Sequence, residues 1–195
     1  MQSEIQSIIE KWTKNQSFEA KIITLFEKVR DIPYGNIGSR NPIDVYHKNK
    51  GTCSGKHALL KALYKEIGVE VKDYIIMHKF NNLPIEFPQN LKNILNKSTI
   101  IDPHNFLKIK INNQWFTVDV TWDKSLKKLG FPINENWDGK SNLNILVALG
   151  GEIYETKNPI LFKKELLKKQ TKQQLKDRKL FIQELTIWLD YYRNL

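Results

Sequence analysis

The sequence contains one cysteine, Cys53, among 195 residues. One cysteine cannot form an intrachain disulfide or supply the several thiolates of a structural zinc site. No apolar run reaches the roughly 18 residues of a membrane-spanning helix. The N-terminal stretch MQSEIQSIIEKW lacks the basic start, unbroken apolar segment and cleavage site of a secretory signal. We therefore expect a cytoplasmic protein with no membrane partner. Because no linker rich in Pro, Gly or Ser divides the chain, we also expect a single domain over residues 1–195.

The charge is strongly positive, with a net charge of +10 and a pI near 9.5. Much of the excess lies between Lys163 and Lys179, where eight Lys or Arg residues face only Glu165 and Asp177. We interpret this stretch as a solvent-exposed helix face, because lysine outnumbers arginine and no aromatic residues interleave for base stacking. A protein or peptide substrate is expected, and a nucleic-acid partner is not. No feature of the sequence indicates an oligomeric state.

Hydrophobic periodicity predicts helices near both ends of the chain and a mixture of helices and strands between them. Helices are predicted over residues 3–13, 17–30 and much of 158–195, and another begins at Cys53 and closes at Gly68. Residues 69–78 read as a strand, and a further strand is predicted near 144–149. Residues 31–50 carry several Gly or Pro breaks and are predicted to form a long irregular connection. The pattern indicates an α+β fold.

Residues 104–123, HNFLKIKINNQWFTVDVTWD, form two alternating runs on either side of Asn112-Asn113, a pair suited to a two-residue hairpin turn. If Ile111 lies opposite Gln114, one face of this hairpin is apolar and His104 becomes a diagonal neighbour of Asp119 on the other. Aspartate is depleted in strands, so its position between two valines needs a reason. Orienting the His104 ring supplies one.

Cys53 directly precedes the apolar helical pattern, which places its thiol at a helix N-terminus. Unpaired N–H groups and the helix dipole lower the pKa of a thiol there. Gly51 would let a substrate backbone approach, and the N–H groups near Cys53 and Ser54 are candidates for binding an oxyanion. Free cysteines are often inert core residues, but the combination with His104 and Asp119 favours a nucleophile.

His57 is the competing candidate for the base, since it lies one helical turn after Cys53. No strand carboxylate is placed for it, and we interpret it as a core or supporting histidine. A zinc site is not indicated because the chain has no CxxC or HxxxH pair. No metal or other cofactor is expected.

Three segments together resemble the transglutaminase-like superfamily of papain-related cysteine enzymes: DIPYGN with NPIDVYHKNKG, GTCSGKHALLKALYKEIGVEVKDY, and HNFLKIKINNQWFTVDVTWD. The resemblance covers about residues 29–123, with helical extensions over 1–30 and 158–195 outside it. It implies a Cys-bearing helix packed on an antiparallel sheet. It also implies that Cys53 is the nucleophile, His104 the general base and acid, and Asp119 the orienting carboxylate. Further candidates are Tyr34 and Tyr46 for the oxyanion site, and Trp115, Trp122 and Trp137 for the walls of a substrate groove.

The predicted function is cysteine-dependent acyl transfer or hydrolysis on protein or peptide amides through a thioester. Water as acceptor would make a protease or deamidase, and an amine would make a transglutaminase-type crosslinking enzyme. The alternative is an inactive module of the same fold that uses its basic surface and C-terminal helix to bind protein or nucleic acid.

Overall fold

The computed structural model describes residues 2–147 and 149–195. Within them the chain forms helices in three groups, before, between and after the strands. The α-helices are α1 (Gln2–Thr13), α2 (Phe18–Arg30), α3 (Pro42–His47), α4 (Cys53–Glu66), α5 (Gln89–Lys97), α6 (Pro159–Lys168) and α7 (Lys172–Arg193). Short 3₁₀ helices occur at Phe80–Asn82 and Lys124–Leu129. In this described part of the chain, no helix has the length and apolar character to cross a bilayer.

The strands form a single antiparallel sheet in the order β3-β2-β1-β4. Their bounds are β1 (Glu70–Lys79), β2 (Ile101–Ile111), β3 (Gln114–Val118) and β4 (Leu149–Thr156). The predicted hairpin has the predicted register, with Ile111 opposite Gln114. Asn112 and Asn113 adopt φ values of 48° and 66°, the left-handed conformation that this two-residue turn requires. The α+β prediction and the hairpin are both confirmed.

Helix α4, which carries Cys53, packs on this sheet through a wholly buried leucine stripe. Each fully buried leucine contributes about 1.5–3 kcal/mol relative to an exposed one. The helix ends before Gly68, whose φ of +84° suits a left-handed C-terminal position. Residues of this core come from α4, the β2–β3 hairpin and the chain that follows it: Leu59, Leu60, Leu63, Leu107, Ile109, Val118 and Val120. The predicted packing of the Cys-bearing helix on an antiparallel sheet is therefore confirmed.

Two sequence predictions of secondary structure were wrong. Residues 31–50 are not wholly irregular, because they contain α3, whose first turn holds Pro42 and whose N-cap Asn41 accepts a hydrogen bond from Ile43 N at 2.9 Å. The strand predicted near 144–149 instead begins at Leu149, and residues 144–147 form no strand. Ala148, which belongs to that prediction, lies outside the described residues.

Lys56 is fully buried inside the fold, one turn after Cys53 on α4. Its ammonium donates hydrogen bonds to the carbonyl oxygens of Arg30, at 2.8 Å, and Thr121, at 2.9 Å. Burial lowers the pKa of Lys56 to about 7 against the opposing charge of Asp123. The side chain thus ties α4 to the end of α2 and to the chain that follows β3.

Replacing Lys56 by methionine is expected to lower the free energy of unfolding by about 2–6 kcal/mol, because it leaves two buried carbonyls unpaired and each costs about 1–3 kcal/mol. Urea denaturation followed by tryptophan fluorescence measures the change. Lys65→Met is the matched control, since Lys65 is exposed on the same helix, and its effect should stay within about 0.5 kcal/mol. Equal destabilisation by both changes would contradict the bridging role of Lys56.

Candidate active site

Cys53 is the first residue of α4 and lines a cavity of about 280 Å³. The side chain of the preceding N-cap residue, Thr52, makes no capping hydrogen bond. The N–H groups in the first turn of a helix have no partner within that helix, so those around Cys53 are donors at the cavity wall. Cys53 is buried, with 5% of its surface exposed, and it borders this cavity.

The structure brings the side chains of His104 and Asp119 together, as the hairpin register predicts. Nε2 of His104, on β2, lies 2.7 Å from Oδ2 of Asp119, which follows β3. Both residues are buried. Because Nε2 is engaged by the carboxylate, Nδ1 is the ring nitrogen left for proton exchange with the thiol.

Asp119 is held in place by hydrogen bonds to both carboxylate oxygens. Oδ1 accepts from Thr121 N at 2.9 Å and from Thr121 Oγ1 at 2.5 Å, and Oδ2 also accepts from Leu146 N at 3.0 Å. Burial would raise the pKa of Asp119, but the charge and hydrogen bond of His104 outweigh it and hold the pKa well below its ordinary value. The carboxylate is therefore ionised and fixed in orientation.

Electrostatic interactions favour a charged pair at Cys53 and His104. Burial raises the pKa of Cys53, but the charge of Lys163 and the hydrogen bond and charge of His104 lower it to about 6. Burial lowers the pKa of His104, but Asp119 and then Cys53 raise it to about 9. The two shifts have opposite directions, and both favour a thiolate on Cys53 together with an imidazolium on His104. This is the reactive form of a cysteine nucleophile.

His57 has backbone partners on both ring nitrogens. Its Nε2 accepts a hydrogen bond from Val120 N at 3.1 Å, which leaves Nδ1 to donate to the carbonyl oxygen of Cys53 at 2.7 Å. Burial lowers the pKa of His57 to about 4, so the ring is neutral. His57 is therefore a core histidine whose ring links the Cys53 turn to the chain beside Asp119.

Lys163 is the site residue that the sequence analysis missed. It belongs to the basic stretch that the sequence predicts to be solvent-exposed, but it is buried, and its Nζ lies 3.5 Å from Cys53 Sγ and 2.7 Å from Ser54 Oγ. One signal was available. Lys163 lies three residues before Leu166 on α6, in register with a buried position.

Replacing Lys163 by methionine is expected to raise the pKa of the Cys53 thiol by about one unit or more, because an opposite charge within ~4–6 Å shifts a pKa by about 1–3 units. Ultraviolet absorbance of the thiolate against pH, with Cys53→Ala as blank, measures the change. Lys164→Met removes an exposed lysine from the same helix and should leave the titration in place. An unchanged titration in Lys163→Met would show that its ammonium does not stabilise the thiolate.

The remaining candidates for substrate or oxyanion contact are divided between the cavity and other parts of the fold. Tyr34 and Ser54 line the cavity. Gly51 does not line it, and a Cβ there would make a close contact of 3.0 Å with Val45 Cγ1. Tyr46 is also elsewhere, with its hydroxyl accepting from Lys11 and its ring against Trp12.

The three tryptophans proposed as groove walls do not line this cavity. Trp115 lies beneath the ammonium groups of Lys72 and Lys110. Trp122 is a core residue that packs against Tyr34 with ring centroids 4.4 Å apart, so it supports the cavity wall from behind. Trp137 packs against Phe26 in the main core.

The C-terminal helices form one wall of the cavity. The interpretation of residues 163–179 as a solvent-exposed face holds for six of the eight basic residues and is wrong for Lys163, which is buried, and Arg178, which is half-buried. Lys163 and Leu167 come from α6, and Arg178, Lys179 and Ile182 come from α7. Arg178 forms an ion pair with Asp102 of β2. Within residues 2–147 and 149–195, no group of three or more His, Cys, Asp or Glu side chains could hold a metal ion.

Comparison of the sequence with protein-family models and with curated proteins gives no match. Among solved structures, the fold is similar to that of a candidate cysteine protease from Cytophaga hutchinsonii, with a TM-score of 0.43 and 17% sequence identity. The similarity covers 80% of this chain and 49% of that protein, so the chain spans about half of its length. A similarity this weak assigns neither a family nor an activity to this chain. The argument for a function therefore depends on the site residues.

Proposed function

We propose that this protein is a cysteine-dependent enzyme of the transglutaminase-like type that cleaves or transfers the acyl group of protein or peptide amides. The observation that carries the proposal is a chain of three side chains: Cys53, which begins a helix and lines the cavity, His104, whose hydrogen bond and charge act on that thiol, and Asp119, bonded to His104 at 2.7 Å. A nucleophile, its base and an orienting carboxylate are the groups that acyl transfer through a thioester requires.

In the proposed reaction, the Cys53 thiolate attacks the amide carbonyl and a carbon–sulfur bond forms. The carbonyl electron pair moves to oxygen, beside the first-turn N–H groups of α4 and the ammonium of Lys163. The His104 imidazolium then gives its proton to the leaving nitrogen, the carbon–nitrogen bond breaks, and a neutral imidazole remains.

The thioester is then resolved by water or by a second amine. Neutral His104 takes a proton from the acceptor as it attacks the thioester carbonyl, and collapse of the second tetrahedral intermediate releases the Cys53 thiolate. Asp119 stays ionised throughout and keeps Nδ1 of His104 directed toward the reacting atoms. Water yields a carboxylic acid, and an amine yields a new amide.

The test is to incubate the protein with a p-nitrophenyl ester and with a mixture of peptides, and to compare it with Cys53→Ala. We expect a burst of p-nitrophenol of about one equivalent, an acyl adduct on the peptide containing Cys53, and new peptide products seen by mass spectrometry. None should appear with Cys53→Ala. A protein that forms no adduct while folded, yet binds peptide or nucleic acid with salt-dependent affinity, would support the inactive binding module instead.

A further inference from the structure

The cavity beside Cys53 is lined by more positive than negative side chains. Four cationic residues line it, against the single carboxylate of Asp102. They come from separate parts of the chain: Arg40 precedes α3, Lys163 lies on α6, and Arg178 and Lys179 lie on α7. The positive charge is therefore a property of the assembled cavity and not of the basic stretch alone.

Two of these cations already have partners inside the protein. Arg178 is paired with Asp102, and Lys163 contacts Cys53 Sγ and Ser54 Oγ. The other two, Arg40 and Lys179, are exposed at the cavity and have no side-chain hydrogen bond or ion pair to any described residue. Their charges are available to a bound ligand.

We propose that the cavity selects acidic peptide substrates, with Arg40 and Lys179 binding a carboxylate that lies close to the amide attacked by Cys53. This rests on the proposed function for the identity of the reacting group. A cavity of about 280 Å³ suits one or two side chains. Tyr34 is the one aromatic residue lining it in the described part of the chain, which leaves no series of rings for stacking nucleic-acid bases.

Alkylation of Cys53 by iodoacetate and by iodoacetamide tests the proposal without requiring turnover. The two reagents differ mainly in charge, since iodoacetate is an anion and iodoacetamide is neutral. The rate with iodoacetate divided by the rate with iodoacetamide therefore reports the electrostatic potential at the thiol. In the wild type at low salt, we expect a ratio about tenfold above that of a cysteine in an unstructured peptide, falling as salt is added.

The decisive variant is the double change Arg40→Gln and Lys179→Gln, which should bring the ratio severalfold closer to the peptide value. Lys164→Gln with Lys176→Gln is the matched control, because it removes the same charge from exposed positions on α6 and α7 that do not line the cavity. It should retain the wild-type ratio. Equal ratios in the wild type and the cavity variant would overturn the proposal.

Peptide pairs that differ only by Glu or Gln provide the second readout. The wild type should have a higher kcat/KM for the Glu peptide, and the cavity variant should lose that preference. If the proposed function is wrong, Cys53 reacts slowly with both reagents, and His104→Ala does not change its alkylation rate. If only the specificity proposal fails, the thiol is reactive but shows no charge preference.

Discussion

Replacing His104 by alanine is expected to lower kcat by about 10²–10⁴-fold, because general acid–base catalysis contributes about that factor. The change removes the group that protonates the leaving nitrogen and that later activates the acceptor. It also removes one of the interactions that lower the pKa of Cys53 to about 6. Steady-state rates on a peptide substrate and the ester burst measure both effects. Added imidazole should restore part of the activity, since it can occupy the space left by the missing ring.

His47→Ala is the control for this prediction, because His47 is an exposed histidine on α3 that does not line the cavity. Its kinetics should match those of the wild type. A His104→Ala protein with wild-type kcat would show that the reaction does not use the His104 ring.

Asp119→Asn is expected to have a comparable effect, lowering kcat by up to about 10⁴-fold. The negative charge and hydrogen bond of Asp119 raise the pKa of His104 to about 9 against burial. Without that charge the pKa of His104 falls, so its proton is lost at lower pH and the imidazolium is scarce at neutral pH. NMR titration of the histidine ring protons should follow this shift directly.

The same substitution also tests whether the effect is catalytic or merely structural. Breaking a buried charged pair costs about 3–5 kcal/mol, so Asp119→Asn should unfold at lower urea concentration. Thr121→Val is the matched comparison, since it removes the hydroxyl that donates to Asp119 Oδ1 while keeping the carboxylate. Thr121→Val should destabilise the fold while leaving the pKa of His104 raised. Equal His104 titrations in Asp119→Asn and the wild type would contradict the role of Asp119.

The parts of the fold that the sequence predicted correctly depend on local patterns. The α4 stripe and the Asn112-Asn113 turn are determined by residues close together in the chain, and the turn sets the register of β2 and β3. That register is sufficient to bring His104 near Asp119. The β4 prediction failed because this strand contains Gly150 and Gly151 and pairs with β1 through an irregularity between Ile76 and Met77. The alternation of apolar and polar residues along a strand does not predict such a change in the pairing register.

The parts of the site that were missed depend on contacts between distant segments. Lys163 reaches Cys53 only because α6 is positioned against the start of α4, 110 residues earlier in the chain. In the sequence it is one lysine among many. Conversely, Tyr46 and Trp115 had suitable side chains but lie on surfaces that do not line the cavity. The residue types in the sequence were sufficient to predict the kind of chemistry. The packing of α6 and α7 determines which residues line the cavity.

The most direct test of the account is the rate of Cys53 alkylation by iodoacetamide as a function of pH, in the wild type, His104→Ala and His47→Ala. We expect a wild-type thiol with an apparent pKa of about 6, an upward shift toward the ordinary cysteine value in His104→Ala, and no shift in His47→Ala. A thiol that reacts slowly at every pH and is unaffected by the loss of His104 would show that Cys53 is an inert core residue, and the catalytic proposal would be wrong.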